Sequence, residues 1–156
     1  MKRPLIVLLI LNIVSIFLVD RTTFKYSSGN SISGNGNPGI IALVMGLFLF
    51  AILLYYVGRV TWNLNNSNRN TRLNIILTLT STFIFTIMMI GEISKVHTLS
   101  KNLNGFTNEK DSIVYRFGWI NQYTNNLFFN WYILFSGMAL TVLVVWVISV
   151  MFRSNR

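Results

Sequence analysis

Glu92, Lys95 and His97 stand close together at the end of a long apolar run, and they are the side chains with the most chemistry to offer. Glu92 is the only acid within or beside an apolar run deep in the chain. Two readings of it compete. In the first it is a proton or cation site at the outer mouth of a helix bundle, approached past Ser81 and Met89. In the second it lies at headgroup depth, pairs with Lys95 one turn on, and is solvated. The second is the expectation, because about 30 Å of helix separates Glu92 from Leu73 and brings it close to the far interface.

Other catalytic parts are scarce. His97, five residues after Glu92, points away from it on a continued helix and forms no HExxH-like pair. With one histidine and no cysteine, thiolate metal sites, disulfides and a bis-histidine haem within one chain are excluded. There is no glycine-rich phosphate loop ending in Lys and Ser or Thr. The expectation is a non-enzyme with no cofactor and no metal.

The run that carries Glu92 also carries a polar stripe. At roughly 100° per residue, Asn74, Thr78, Ser81, Thr82, Phe85, Met89 and Glu92 share about a third of a helix circumference. Hydrocarbon offers such groups no hydrogen-bond partner, so they are expected to turn this helix inward and make it the organiser of the fold. Their hydroxyls are read as interhelical glue rather than as the lining of a polar path.

The elements that must position these residues are membrane spans. The chain has 156 residues, 53% hydrophobic and 11% charged, whereas soluble domains carry about a quarter charged residues. Runs long enough to cross about 30 Å of hydrocarbon lie at about 4–19, 39–58, 73–93 and 129–152. The first, PLIVLLILNIVSIFLV, follows a basic start as a secretory signal would. The residues before Asp20 lack the small pair that a signal peptidase needs, so an uncleaved span is expected. Asn12 and Ser15 mark its inward side. In the second, Ala42 and Gly46 form a small-xxx-small pattern for close helix approach. Ser136, Gly137 and Ala139 give the fourth a small-residue patch for helix contact.

The net charge of +9 comes from basic residues flanking apolar runs, where orientation and lipid headgroups explain them and nucleic acid is not implied. Arg3, Arg59, Arg69, Arg72, Arg153 and Arg156 crowd short segments, which places both termini and the loop 59–72 in the cytoplasm. Loops 20–38 and 94–128 are then outside. The first, rich in Ser, Gly and Asn, reads as a linker. In the second, Asp111 and Ser112 introduce Ile113, Phe117 and Ile120 at helical spacing, so a short amphipathic helix on the outer interface is expected, weakened by Gly118.

The expectation is an all-α integral membrane protein, a four-transmembrane-helix bundle with cytoplasmic N and C termini. The abundance of Asn and Ile, residues of AT-rich codons, points to a bacterial cytoplasmic membrane. The expected role is that of a non-catalytic partner, regulatory or immunity-type protein, touching membrane lipids and another membrane protein or a second copy of itself. The candidate binding residues are Glu92, Lys95, Arg116, Trp119, Tyr123 and Trp131, because large rings flanked by charge suit contact surfaces. The alternative is a small oligomeric transporter or channel subunit whose third helix lines the path.

Overall fold

A computed structural model describes residues 2–26, 36–67, 71–106 and 109–154. Residues 27–35 of the loop 20–38, together with Arg69 and Arg156, lie outside these residues. The described chain is helical, with no strand. Its elements are α1 (Lys2–Thr22), α2 (Gly39–Ser67), α3 (Thr71–Asn102), α4 (Ile113–Phe117), α5 (Asn125–Phe128) and α6 (Trp131–Ser154). Four of the helices are long and apolar enough to cross a membrane.

The helices outrun the apolar segments that announce them. α2 continues through Arg59 to Ser67, and α3 continues through Lys95 to Asn102. Hydropathy marks the part of a helix that suits hydrocarbon, while the backbone ladder continues until a cap ends it. For α3 that end is a Schellman turn. Asn104 takes φ 58°, and the Gly105 N–H donates to the Ser100 carbonyl at 2.8 Å, satisfying a carbonyl that the helix leaves open.

α1 packs on α2, α2 on α6, and α6 on α3. The core lies among the first three: Ile16 and Val19 of α1, Leu43, Leu53 and Val57 of α2, Phe129, and Leu134 of α6. Polar groups tie the same helices together. Asn12, fully buried, donates across to the Leu49 carbonyl at 3.2 Å. Near the other end of α2, Asn65 donates to the Ser149 hydroxyl at 3.1 Å.

The third span is therefore not the organiser expected of it. α3 stands at the edge against α6, with Ile75, Ile76, Leu79, Phe83 and Ile90 exposed. Its hydroxyls do not act as interhelical glue: Thr78, Thr82 and Thr86 donate to the carbonyls of Asn74, Thr78 and Thr82 at 2.9, 2.9 and 3.0 Å. A threonine satisfied by its own helix needs no neighbour and carries little penalty facing lipid. The side turned to α6 holds Asn74, Thr78, Ser81, Phe85 and Glu92, whereas Thr82 and Met89 are exposed.

Close helix approach rests on glycine at several contacts, those of Gly46, Gly91 and Gly137 among them. A Cβ on Gly46 would lie 2.7 Å from two ring carbons of Phe129, and one on Gly91 would lie 2.3 Å from the Tyr132 ring. Both rings occupy space that only a missing side chain leaves.

Candidate functional site

The organised polar chemistry of the molecule lies at the end of the bundle where α1 and α3 finish and α6 begins. The sequence there, Gly118 to Asn130, reads GWINQYTNNLFFN. Such a run has too many amides to continue a helix, because Asn side chains compete for nearby backbone groups. α4 stops at Gly118, which takes φ 79°. The Asn121 amide then donates to the Gly118 carbonyl at 2.7 Å, while its oxygen accepts the Tyr123 N–H at 2.8 Å. Thr124, fully buried, accepts the Asn121 N–H at 3.0 Å and donates to the Trp119 carbonyl at 2.6 Å. The turn closes on itself.

The following asparagines reach outward and staple the long helices. Asn125 and Asn37 exchange amide hydrogen bonds of 2.6 and 2.9 Å, which holds the start of α2. Asn126 donates to Asp20, near the end of α1, at 3.3 Å, and its backbone carbonyl accepts the Lys95 ammonium of α3. Asn130 caps α6, its side-chain oxygen accepting the N–H groups of Tyr132 and Ile133 at 2.8 and 3.2 Å. The amide of the same residue donates to Glu92 at 2.9 Å. One residue thus serves as N-cap and as a bridge to the neighbouring helix.

Beside this knot lies a smaller hydrophobic cluster of Leu103, Ile113, Val114 and Tyr123, with Tyr26, Leu99 and Phe106 packed against it. Ser112 orders it. Fully buried, its hydroxyl accepts the N–H groups of Val114 and Tyr115 at 3.1 and 3.3 Å and donates to the Gly105 carbonyl at 3.1 Å. The short helix expected after Ser112 is present, but it buries Ile113 and Val114 and leaves Phe117 and Ile120 exposed. The loop and its helix form a folded cap.

The structure divides the candidate binding residues. Glu92 and Lys95 belong to the knot. Among the described residues they close no ion pair with each other, because Glu92 takes the Asn130 amide and Lys95 the Asn126 carbonyl. Tyr123 is buried in the cap, against Phe24 and Tyr26. Arg116 pairs with Asp111 at 3.4 Å on the cap's surface. Trp119 is exposed and lies 5.1 Å from the Phe106 ring. Trp131 packs edge-on to Phe17 of α1 at 5.7 Å. The stripe of Asn74, Thr78, Ser81 and Thr82 lies farther down α3, Ser81 about 16 Å along the axis from Glu92.

The asparagines that carry the knot were not among the candidates from sequence. A signal for one of them exists, since an Asn immediately before an apolar helical run is a capping pattern and Asn130 stands there. Nothing local marks the Asn37 to Asn125 pairing. Among the described residues no group of three or more His, Asp or Glu side chains could hold a metal ion. The arrangement binds backbone ends and positions rings.

Among the described residues, clefts flank the half of α3 that ends at Asn102. One, of about 390 Å³, is lined by Gly91, Lys95, Asn126 and Tyr132 among others. Another, of about 460 Å³, is lined by Glu92, His97 and Phe106 among others. Fold and site together define a helical protein with four helices long and apolar enough to cross a membrane and an ordered cap at one end of the bundle. No known protein family, curated protein or solved structure matches this chain.

Proposed function

We propose that this protein is a multi-pass protein of a bacterial cytoplasmic membrane, with both termini and the loop between α2 and α3 in the cytoplasm and the cap outside. It acts by contact with another membrane protein rather than by catalysis. The observation that carries this reading is the cap itself. Its polar atoms are spent inward on helix ends, while Tyr115, Phe117, Trp119 and Ile120 are held outward, from 39% to 55% exposed. A plain linker would do neither. Lys110 and Arg116 lie among these exposed side chains beside Glu109 and Asp111, which favours a partner surface of mixed charge around an apolar centre.

The interior supports contact over transport. Phe129, Leu53 and Leu134 close the space among α1, α2 and α6, and α3, the helix that would line a path, turns an apolar side outward.

A photoreactive phenylalanine analogue in place of Trp119 should give a discrete cross-linked protein band in membranes. The same probe in place of Leu79, on the exposed apolar side of α3, should give none. Equal labelling from both sites, or proton flux in reconstituted vesicles that is lost on Glu92→Gln, would replace this reading with the transport one. Orientation is tested separately: the chain has no cysteine, so Lys110→Cys should react with an impermeant thiol reagent in intact cells and Asn66→Cys should not.

A further inference from the structure

We infer that the cleft between the outer end of α3 and the start of α6 holds the headgroup of a zwitterionic phospholipid carrying a primary ammonium. This rests on the reading of the four long helices as membrane spans. The cleft, about 390 Å³, is lined by Gly91, Ser94, Lys95, Leu99, Asn126 and Tyr132 among others. It lies where the apolar part of α3 gives way to polar residues and where Trp131 and Tyr132 open α6, an aromatic pair of the kind that sits at headgroup depth.

Its polar wall is rich in donors. Lys95 is half-buried, yet among the described residues it closes no ion pair within 4 Å. One of its N–H groups goes to the Asn126 carbonyl, which leaves two. A half-buried ammonium with two N–H groups unused favours acceptor oxygens, and a phosphodiester entering the cleft would supply them. The hydroxyls of Ser94 and Tyr132 make no hydrogen bond among the described residues and line the same cleft. The absent side chain of Gly91 is what lets the Tyr132 ring lie against α3. An ammonium with two hydroxyls suits the oxygens of a phosphodiester, and Leu99 and the Tyr132 ring add apolar walls for the glycerol end.

The surrounding charge selects among phospholipids. Glu92 lies one turn from Lys95, and Asp20 lies across Asn126, so the fields of two carboxylates reach the one ammonium. A net-anionic headgroup brings a negative charge toward both carboxylates with no cation of its own. A zwitterionic one brings its own cation. Glu92 is engaged by Asn130, whereas Asp20 accepts only the long 3.3 Å bond from Asn126 among the described residues and is exposed. Asp20 is therefore the partner for the headgroup ammonium, and N–H donors on that ammonium fit it better than a trimethylated one.

Native mass spectrometry of delipidated protein in detergent provides the test, with phosphatidylethanolamine, phosphatidylcholine and phosphatidylglycerol of identical acyl chains. Phosphatidylethanolamine should bind about tenfold more tightly than either competitor, the size expected of one charge-assisted hydrogen bond. Lys95→Gln should remove that binding, and Asp20→Asn should abolish the preference over phosphatidylcholine while leaving phosphate-dependent binding. If Lys95→Gln fails to fold, Tyr132→Phe, which deletes one hydroxyl, should weaken binding severalfold. Equal binding of the three lipids, or a preference for phosphatidylglycerol, would overturn the inference. Full competition by glycerophosphoethanolamine would mean a site for a free phosphodiester and not for a lipid. A protein that stays in solution without detergent would instead refute the membrane reading on which the site depends.

Discussion

Adding one methyl group at Gly46 and one at Gly91 asks whether ring mobility or mere contact distance governs helix packing here. The shorter contact is at Gly91, where the new Cβ would lie 2.3 and 2.6 Å from two Tyr132 ring carbons. At Gly46 it would lie 2.7 Å from Cδ1 and Cε1 of Phe129. Carbon atoms rest at about 3.5–4 Å, so both rings must move by about 1 Å. Tyr132 is 37% exposed and can swing outward, while Phe129 is 1% exposed and is enclosed by the core residues of α1, α2 and α6. Overpacking costs about 1–3 kcal/mol, opposed by about 1 kcal/mol gained when Ala replaces Gly within a helix. Gly91→Ala should therefore come out near zero, and Gly46→Ala should lose about 2 kcal/mol. Phe129→Leu replaces the ring with a smaller side chain, so the Gly46→Ala/Phe129→Leu double variant should be more stable than the sum of the singles, by about 1 kcal/mol. Unfolding of the detergent-solubilised protein, followed by tryptophan fluorescence, reads all four. If Gly91→Ala were the more damaging, or if the double variant were simply additive, the claim that enclosure of Phe129 sets the cost would be wrong.

Two further outcomes are expected. Ser112→Ala removes a buried cap and its bond to Gly105, so it should cost about 1–2 kcal/mol; hydrogen exchange should quicken at Val114 and Tyr115 first, and uniform loss of protection along α2 would refute a local role. Thr82→Leu should leave stability unchanged, since its hydroxyl serves only its own helix and its side chain is exposed. Thr78→Leu, on the side turned to α6, should lower the unfolding temperature, and equal tolerance at both would mean that α3 does not pack on α6 as described.

The class of the molecule was legible in the residues alone. Apolar runs of spanning length, few charges and no cysteine are facts of composition, and four helices of that length and character are present. Asn12 and Ser15 lie buried on the side expected of them, and Gly46, singled out as a close-approach residue, meets Phe129. These readings succeed because each concerns a local pattern on a single helix. The cap at Ser112 is local in the same sense, since its oxygen reaches the backbone of residues two and three ahead.

The order of the helices was decided only by the tertiary structure. Hydropathy separates water from an apolar surrounding, but lipid and protein interior are both apolar, so a span's pattern does not say which of its faces is covered. Thr78 and Thr82 look alike in sequence and both satisfy themselves within α3, yet one turns toward α6 and the other is exposed. The knot beside the cap was hidden for a different reason. Asn37 and Asn125 meet across 88 positions of chain, and Glu92 and Asn130 across 38. An asparagine is ordinary loop composition until folding brings a helix end within its reach. Only then do amides at 125, 126 and 130 become the groups that hold α1, α2, α3 and α6 together.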